Sequence, residues 1–181
     1  VHDPDQADLL DAALRGLGDD EPHLRAQVQA SLAISLYWES PVADTQRRRE
    51  LVRLRDELTA AALSTAEAAD DARTLAVALR ARLYANWGPD TERDRLPLAL
   101  RIIDVANRLG DERLGLEGRI WRISDHLTHG RLVEASAELD HFEATATRIR
   151  DRYQQWSALR GRANIAFMRG DLTGAQQIGR E

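Results

Sequence analysis

HGRLVEAS at residues 129–136 and RGDLTGAQ at residues 169–176 carry glycine, leucine and alanine at matching places. Gly130, Leu132 and Ala135 correspond to Gly170, Leu172 and Ala175, all at a spacing of 40 residues. Each stretch reads as a turn followed by the opening of a helix. The glycine reverses the chain, the leucine plugs a helix pair, and the alanine lets two helices touch. A helix pair of this kind cannot bury its apolar face alone and must stack on its neighbours. The spacing therefore decides whether the chain is a repeat array.

The spacing recurs along the chain. Asp71, Asp111 and Asp151 are also 40 apart, each opening a helical segment where a carboxylate can accept from free amides. Shifted by the same amount, Ala78 matches Gly118 and Ala158, small residues that permit close helix approach. Arg82 likewise matches Arg122 and Arg162, and Asp90 occupies the loop position of Gly130 and Gly170. The units run approximately 22–70, 71–110, 111–150 and 151–181 within a single domain of 181 residues. The first unit is longer, and RRRELVRLRDEL (47–58) absorbs the excess.

Glycine, proline and aspartate cut the remainder into helix-sized pieces, with no alternating strand pattern. Asp3 is an expected cap for the first piece and Gly16 its stop. The second starts at Pro22 with Leu24, Val28, Leu32 and Leu36 as an i, i+4 stripe. Asp44 opens a third, Gly88 and Pro89 close the fourth, and Pro97 falls in the first turns of the fifth or kinks it. Leu116, Ile120, Ile123 and Leu127 share one side of the sixth. Nine helical pieces result, and the fold class is all-α.

Composition removes several chemistries. The chain has no cysteine, so disulfides, thiolate nucleophiles and cysteine-containing zinc sites are excluded. All 25 basic residues are arginine, so neither a Walker A lysine nor a Schiff-base lysine is present. The net charge of −5 argues against direct nucleic-acid contact, which calls for a positive excess. No apolar run reaches the ~18 residues of a membrane span. No leader is visible, so the expectation is a cytoplasmic segment. Beginning at Val1 and stopping in GDLTGAQQIGRE, the chain reads as cut from a larger protein.

The G-x-L-x-x-A pattern after an apolar helix end resembles the tetratricopeptide repeat. The pieces LYW, NWGPD, LGDERLGLEGRIWRISDHLTHG and AELDHFEA resemble the long repeats of the large ATP-binding LuxR-type regulators of actinobacteria, related to the maltose regulator. That resemblance implies antiparallel helix pairs stacked in a right-handed superhelix, with the first helices (22–38, 71–87, 111–129, 151–169) lining its concave side. It also implies a middle domain, between an ATPase module and a helix-turn-helix reader, that senses an inducer or partner and governs self-association. Related repeats follow ATPase modules in cyclase-type signalling proteins, which leaves the output open.

The polar constellations have two readings each. Arg82, Arg122 and Arg162 form a ladder that either lines an anion-binding groove or pairs with acids on adjoining helices. His126 and His129 on one helical face, with Asp125, Glu134 and His141 nearby, invite a zinc reading against one of helix-end histidines. Arg47, Arg48, Arg49, Arg53 and Arg55, interleaved with acids, are expected on a solvated face rather than a docking patch. Trp38, Trp87, Trp121 and Trp156, with Tyr37, Tyr84 and Tyr153, are expected in inter-repeat core; exposed on a concave wall they would form a ligand groove. No pair of acids stands out as an acid–base couple, and no nucleophile elbow occurs.

The expectation is thus a non-catalytic sensor or interaction domain without metal or cofactor. Its partner is another protein, a second copy in a homodimer, or a small-molecule inducer. Arg82, Arg122, Arg162, His126 and Trp121 are the candidate contacts. A purely structural spacer or dimerisation scaffold, or the array of a cyclase-type protein, is the alternative.

Overall fold

The computed structural model describes residues 4–18, 20–39, 44–85, 87–88 and 91–180. Asp3, Pro89 and Asp90 lie outside them. Among the described residues the chain is all-helical: α1 (Pro4–Gly16), α2 (Pro22–Glu39), α3 (Thr45–Ala68), α4 (Ala72–Ala85), α5 (Glu92–Leu109), α6 (Glu112–Thr128), α7 (Leu132–Arg148), α8 (Arg152–Met168) and α9 (Leu172–Ile178). Neighbouring helices pack in adjacent pairs, and backbone packing divides the chain into two compact units, Val1–Leu98 and Ala99–Glu181. None of the described helices is long and apolar enough to cross a membrane.

In the second unit the repeat is visible in the backbone itself. Helices α6, α7 and α8 each have 17 residues, and three-residue turns put successive helix starts 20 apart. Each of these turns has one residue at positive φ, Gly130 (69°), Arg150 (56°) or Gly170 (82°), as does the two-residue turn before α6, at Gly110 (64°). Two amide bonds close each helix end. The Gly130 amide donates to Leu127 at 3.0 Å and the Arg131 amide to His126 at 2.8 Å, satisfying carbonyls that a helix terminus leaves open. The following aspartate then caps the next helix: Asp111 accepts from the Leu114 amide, Asp151 from Gln154 and Asp171 from Gly174. One residue therefore ends one helix and starts another, which is why the turns stay at three residues. The period of 40 is two such steps.

Arg150 occupies a backbone conformation that favours glycine. Replacing it with glycine removes Cβ crowding, offset in part by the larger entropy of the unfolded chain. Arg150→Gly should stabilise the second unit by about 0.5–1 kcal/mol, read as a rise in the urea midpoint. An unchanged or lower midpoint would contradict the strain.

Asp71 plays the capping role in the first unit. Its carboxylate accepts from the Thr74 hydroxyl and amide, and these bonds hold it below the usual carboxylate range. Thr74 is itself buried and receives a bond from Gln27 across the α2–α4 contact at 3.4 Å. A depressed folded-state pKa gives stability that is present above the unfolded value of about 3.9 and lost as pH falls through the folded value. Asp71→Asn keeps an acceptor that does not titrate. Its stability gap to the parent should therefore be largest near neutrality and close in acid below about pH 3.9. A gap independent of pH would refute this.

The first unit is packed on alanine. Ala26 and Ala30 of α2, Ala62 and Ala66 of α3 and Ala78 and Ala81 of α4 are all buried in one cluster. A second cluster joins Leu32, Ala33 and Leu36 to Leu51 and Leu58, with Leu10 and Leu14 of α1 against it. The buried face of α2 is thus its alanines with Leu32 and Leu36, while Leu24 of the expected stripe is exposed. The second unit's core gathers Leu116, Ile123, Leu139, Phe142, Ala158 and Ile165, with Ile120 and Leu127 against it. Small residues permit close approach as expected: a Cβ on Gly118 would stand 2.9 Å from the Ala99 carbonyl oxygen. The leucine of the opening motif is less buried than expected. Leu132 is half-buried and Leu172 is 63% exposed, so the closing bonds and Ala135, not the leucine, fix the turn.

Candidate functional site

Each arginine of the ladder is met by a carboxylate from a neighbouring helix. In the first unit Arg82 on α4 reaches back to α3, pairing with the Asp56 side chain and donating to Thr59 Oγ1 at 3.0 Å. In the second unit Arg162 on α8 reaches back to α7, donating to Asp140 and Glu143. Burial alone would lower its pKa, but the two carboxylates outweigh that and raise it. Arg122 differs. It faces forward to Glu138 on α7, at 3.6 Å, where Arg119 also donates. Glu138 is buried, so this shared carboxylate is the tightest-enclosed member of the set.

His126 and His129 belong to a cluster at the α6–α7 turn. The Asp125 carboxylate is buried and accepts from Arg131, whose Nε donates to His126 Nδ1 at 3.1 Å. His129 Nδ1 lies 2.9 Å from the Asp125 carbonyl. Arg131 occupies the turn position that is aspartate at 111, 151 and 171, and it ties the turn to the helix instead of capping. Among the described residues no group of three or more histidine and carboxylate side chains is placed to hold a metal ion. His141 lines a cleft of about 310 Å³ with Arg119, Thr145 and Arg148. Trp121 is half-buried on α6.

The tryptophans depart from the expected core packing. Trp38 is 50% exposed, Trp87 56% and Trp156 52%. In the first unit they form part of a cluster: Tyr37 meets Trp38 edge-on at 5.2 Å, Tyr84 at 6.1 Å, and Trp87 with nearly parallel rings at 6.2 Å. In the second, Tyr153 and Trp156 lie 5.8 Å apart, with Arg160 over the Trp156 ring. Exposed aromatic area of this kind marks a binding surface more often than a packing need.

Arg55 corrects the reading of the arginine run as a solvated face. Arg47, Arg48, Arg49 and Arg53 are exposed, but Arg55 is only 5% exposed. Its guanidinium lies 5.2 Å from the Tyr37 ring centroid, and Nε and Nη1 have no hydrogen-bond partner among the described residues. Burial pulls its pKa below the ordinary arginine value, and Tyr37 partly opposes this. Leaving such donors unsatisfied costs about 1–3 kcal/mol or more. A helical signal did exist: Leu51, Arg55, Leu58 and Ala62 fall at i, i+4, i+7 and i+11, a buried stripe with a cation in it. The surrounding charges masked it.

No protein-family model matches this chain, and no match is found among curated proteins.

Proposed function

We propose that this chain is a non-catalytic binding domain of a cytoplasmic regulatory protein, whose helical repeats carry a recognition surface for a partner or inducer. The observation behind this reading is the contrast between its polar groups. The ladder arginines are met by carboxylates on neighbouring helices and Asp125 by Arg131 of the turn that follows it, whereas the half-exposed aromatics around Tyr37 sit beside a buried cation with open donors. The period of 40 and the resemblance of its repeats support the middle domain of a large ATP-binding LuxR-type activator as the setting. A ligand that binds the folded chain stabilises it in proportion to ln(1 + [L]/Kd). Thermal melting against candidate inducers, with crosslinking at Trp38 and Trp87 in extract, tests the proposal. Absence of both saturable stabilisation and a specific crosslink would overturn it.

Self-association is a second reading, favoured by the exposed Tyr153, Trp156, Phe167, Met168 and Leu172 on α8 and α9. Sedimentation over a hundredfold concentration range tests it: a concentration-dependent rise in mass supports a scaffold, and a constant monomer mass removes it.

A further inference from the structure

Shifted by 40 residues, the core stripe of α6, Leu116, Ile120, Ile123 and Leu127, falls on Trp156, Arg160, Ala163 and Phe167 of α8. In α6 the stripe enters the core with Leu139 and Phe142 of α7 and Ile165 of α8. In α8 it lies open: Trp156 and Phe167 are more than half exposed, as is Tyr153 one turn earlier. Helix α9 adds the exposed Leu172 and no buried residue. The register therefore marks this face as one that a further helix covers. Its charge narrows the choice of helix. Residues 152–180 hold five arginines against one aspartate, in a chain whose net charge is −5. Arg160 stands within the stripe, over the Trp156 ring, and no carboxylate among the described residues pairs with it.

We propose that the α8 stripe is the docking site for α1 of a second copy of this chain. The assignment deepens the self-association reading above and rests on it. The inner face of α1, with Ala7, Leu10 and Leu14, packs on its own unit. Helical spacing puts Asp5, Leu9, Ala12 and Gly16 on the opposite face, with Asp8 beside them. Leu9 is exposed, and its small neighbours leave room for an indole and a phenyl ring. Residues 1–21 hold seven acids against one arginine, the complement of the α8 surface. Opposite charges around an apolar contact steer it and fix its register. Arg160 lies at the midpoint of α8 (Arg152–Met168), so two stripes paired antiparallel would set arginine against arginine. The contact with α1 is heterologous, so association runs past the dimer unless a ring closes.

The test is sedimentation of the full chain over a hundredfold concentration range, at about 50 mM and about 500 mM salt. Expected is a mass that rises with concentration, with the association weakened about tenfold by the added salt. Arg160→Glu and Asp8→Arg, each alone, should weaken it about tenfold at low salt. Both positions are exposed, and circular dichroism checks that the helices remain. Mixed in equal amounts, the two variants again present opposite charges and should associate with each other as the parent does with itself. A constant monomer mass would overturn the assignment and the self-association reading together. Association that is indifferent to salt, unchanged by Asp8→Arg or not restored in the mixture would overturn the α1 contact while self-association stands. Asp8→Arg and the salt series decide this even if Arg160→Glu fails to fold.

Discussion

Phe142→Ala should cost the second unit about 3–5 kcal/mol, the usual range for emptying a fully buried phenylalanine site. Phe142 has no exposed surface and sits among Leu116, Ile123, Leu139 and Ile165, side chains drawn from α6, α7 and α8. It is thus the shared contact of three helices, none of which can bury its face alone. A domain stability of only 5–15 kcal/mol makes such a loss a large fraction of the total. Urea unfolding followed by circular dichroism reads it as a lowered midpoint or as a separate early transition. Val133→Ala, on the same helix but exposed, should stay within about 0.5 kcal/mol of the parent. A loss below about 1 kcal/mol for Phe142→Ala would mean that the core collapses around the gap and that packing is looser than these contacts imply.

The array was legible because its markers are local. A glycine at positive φ and an aspartate that caps are properties of one turn, and each leaves its own letter in the sequence. Asp111, Asp151, Gly130 and Gly170 could therefore be placed by spacing alone, and the backbone repeats at those positions. Arg150 holds the same conformation without glycine, so composition hid that turn. Partners were less legible because they depend on the facing helix. Arg162 finds acids at 140 and 143, but forty residues earlier the chain has Leu100 and Ile103, so Arg122 turns forward to Glu138. Equivalent arginines thus have unequal partners. The aromatic cluster was hardest to foresee, since tryptophan serves core and surface alike and only the three-dimensional neighbours decide.

The inequality of the ladder has a measurable consequence at Glu138. Its carboxylate is buried and serves both Arg119 and Arg122, so Glu138→Ala strands two guanidinium groups in partial burial. Breaking a fully buried pair costs about 3–5 kcal/mol. Both arginines here keep some water, with side chains 23% and 38% exposed, which brings the expected loss to about 2–3 kcal/mol. Arg122→Ala, by contrast, leaves Glu138 with Arg119 and should cost under about 1 kcal/mol. Glu138→Gln retains an acceptor but not the charge, and its cost should fall between the two. A double-mutant cycle between positions 119 and 138 should therefore give a larger coupling than one between 122 and 138. Equal couplings would show that Arg122 is as firmly engaged as Arg119, making the ladder uniform despite its geometry. The expected order places the second unit's polar anchor at Arg119, a residue outside the 40-residue register, and leaves Arg122 as the replaceable member of the row.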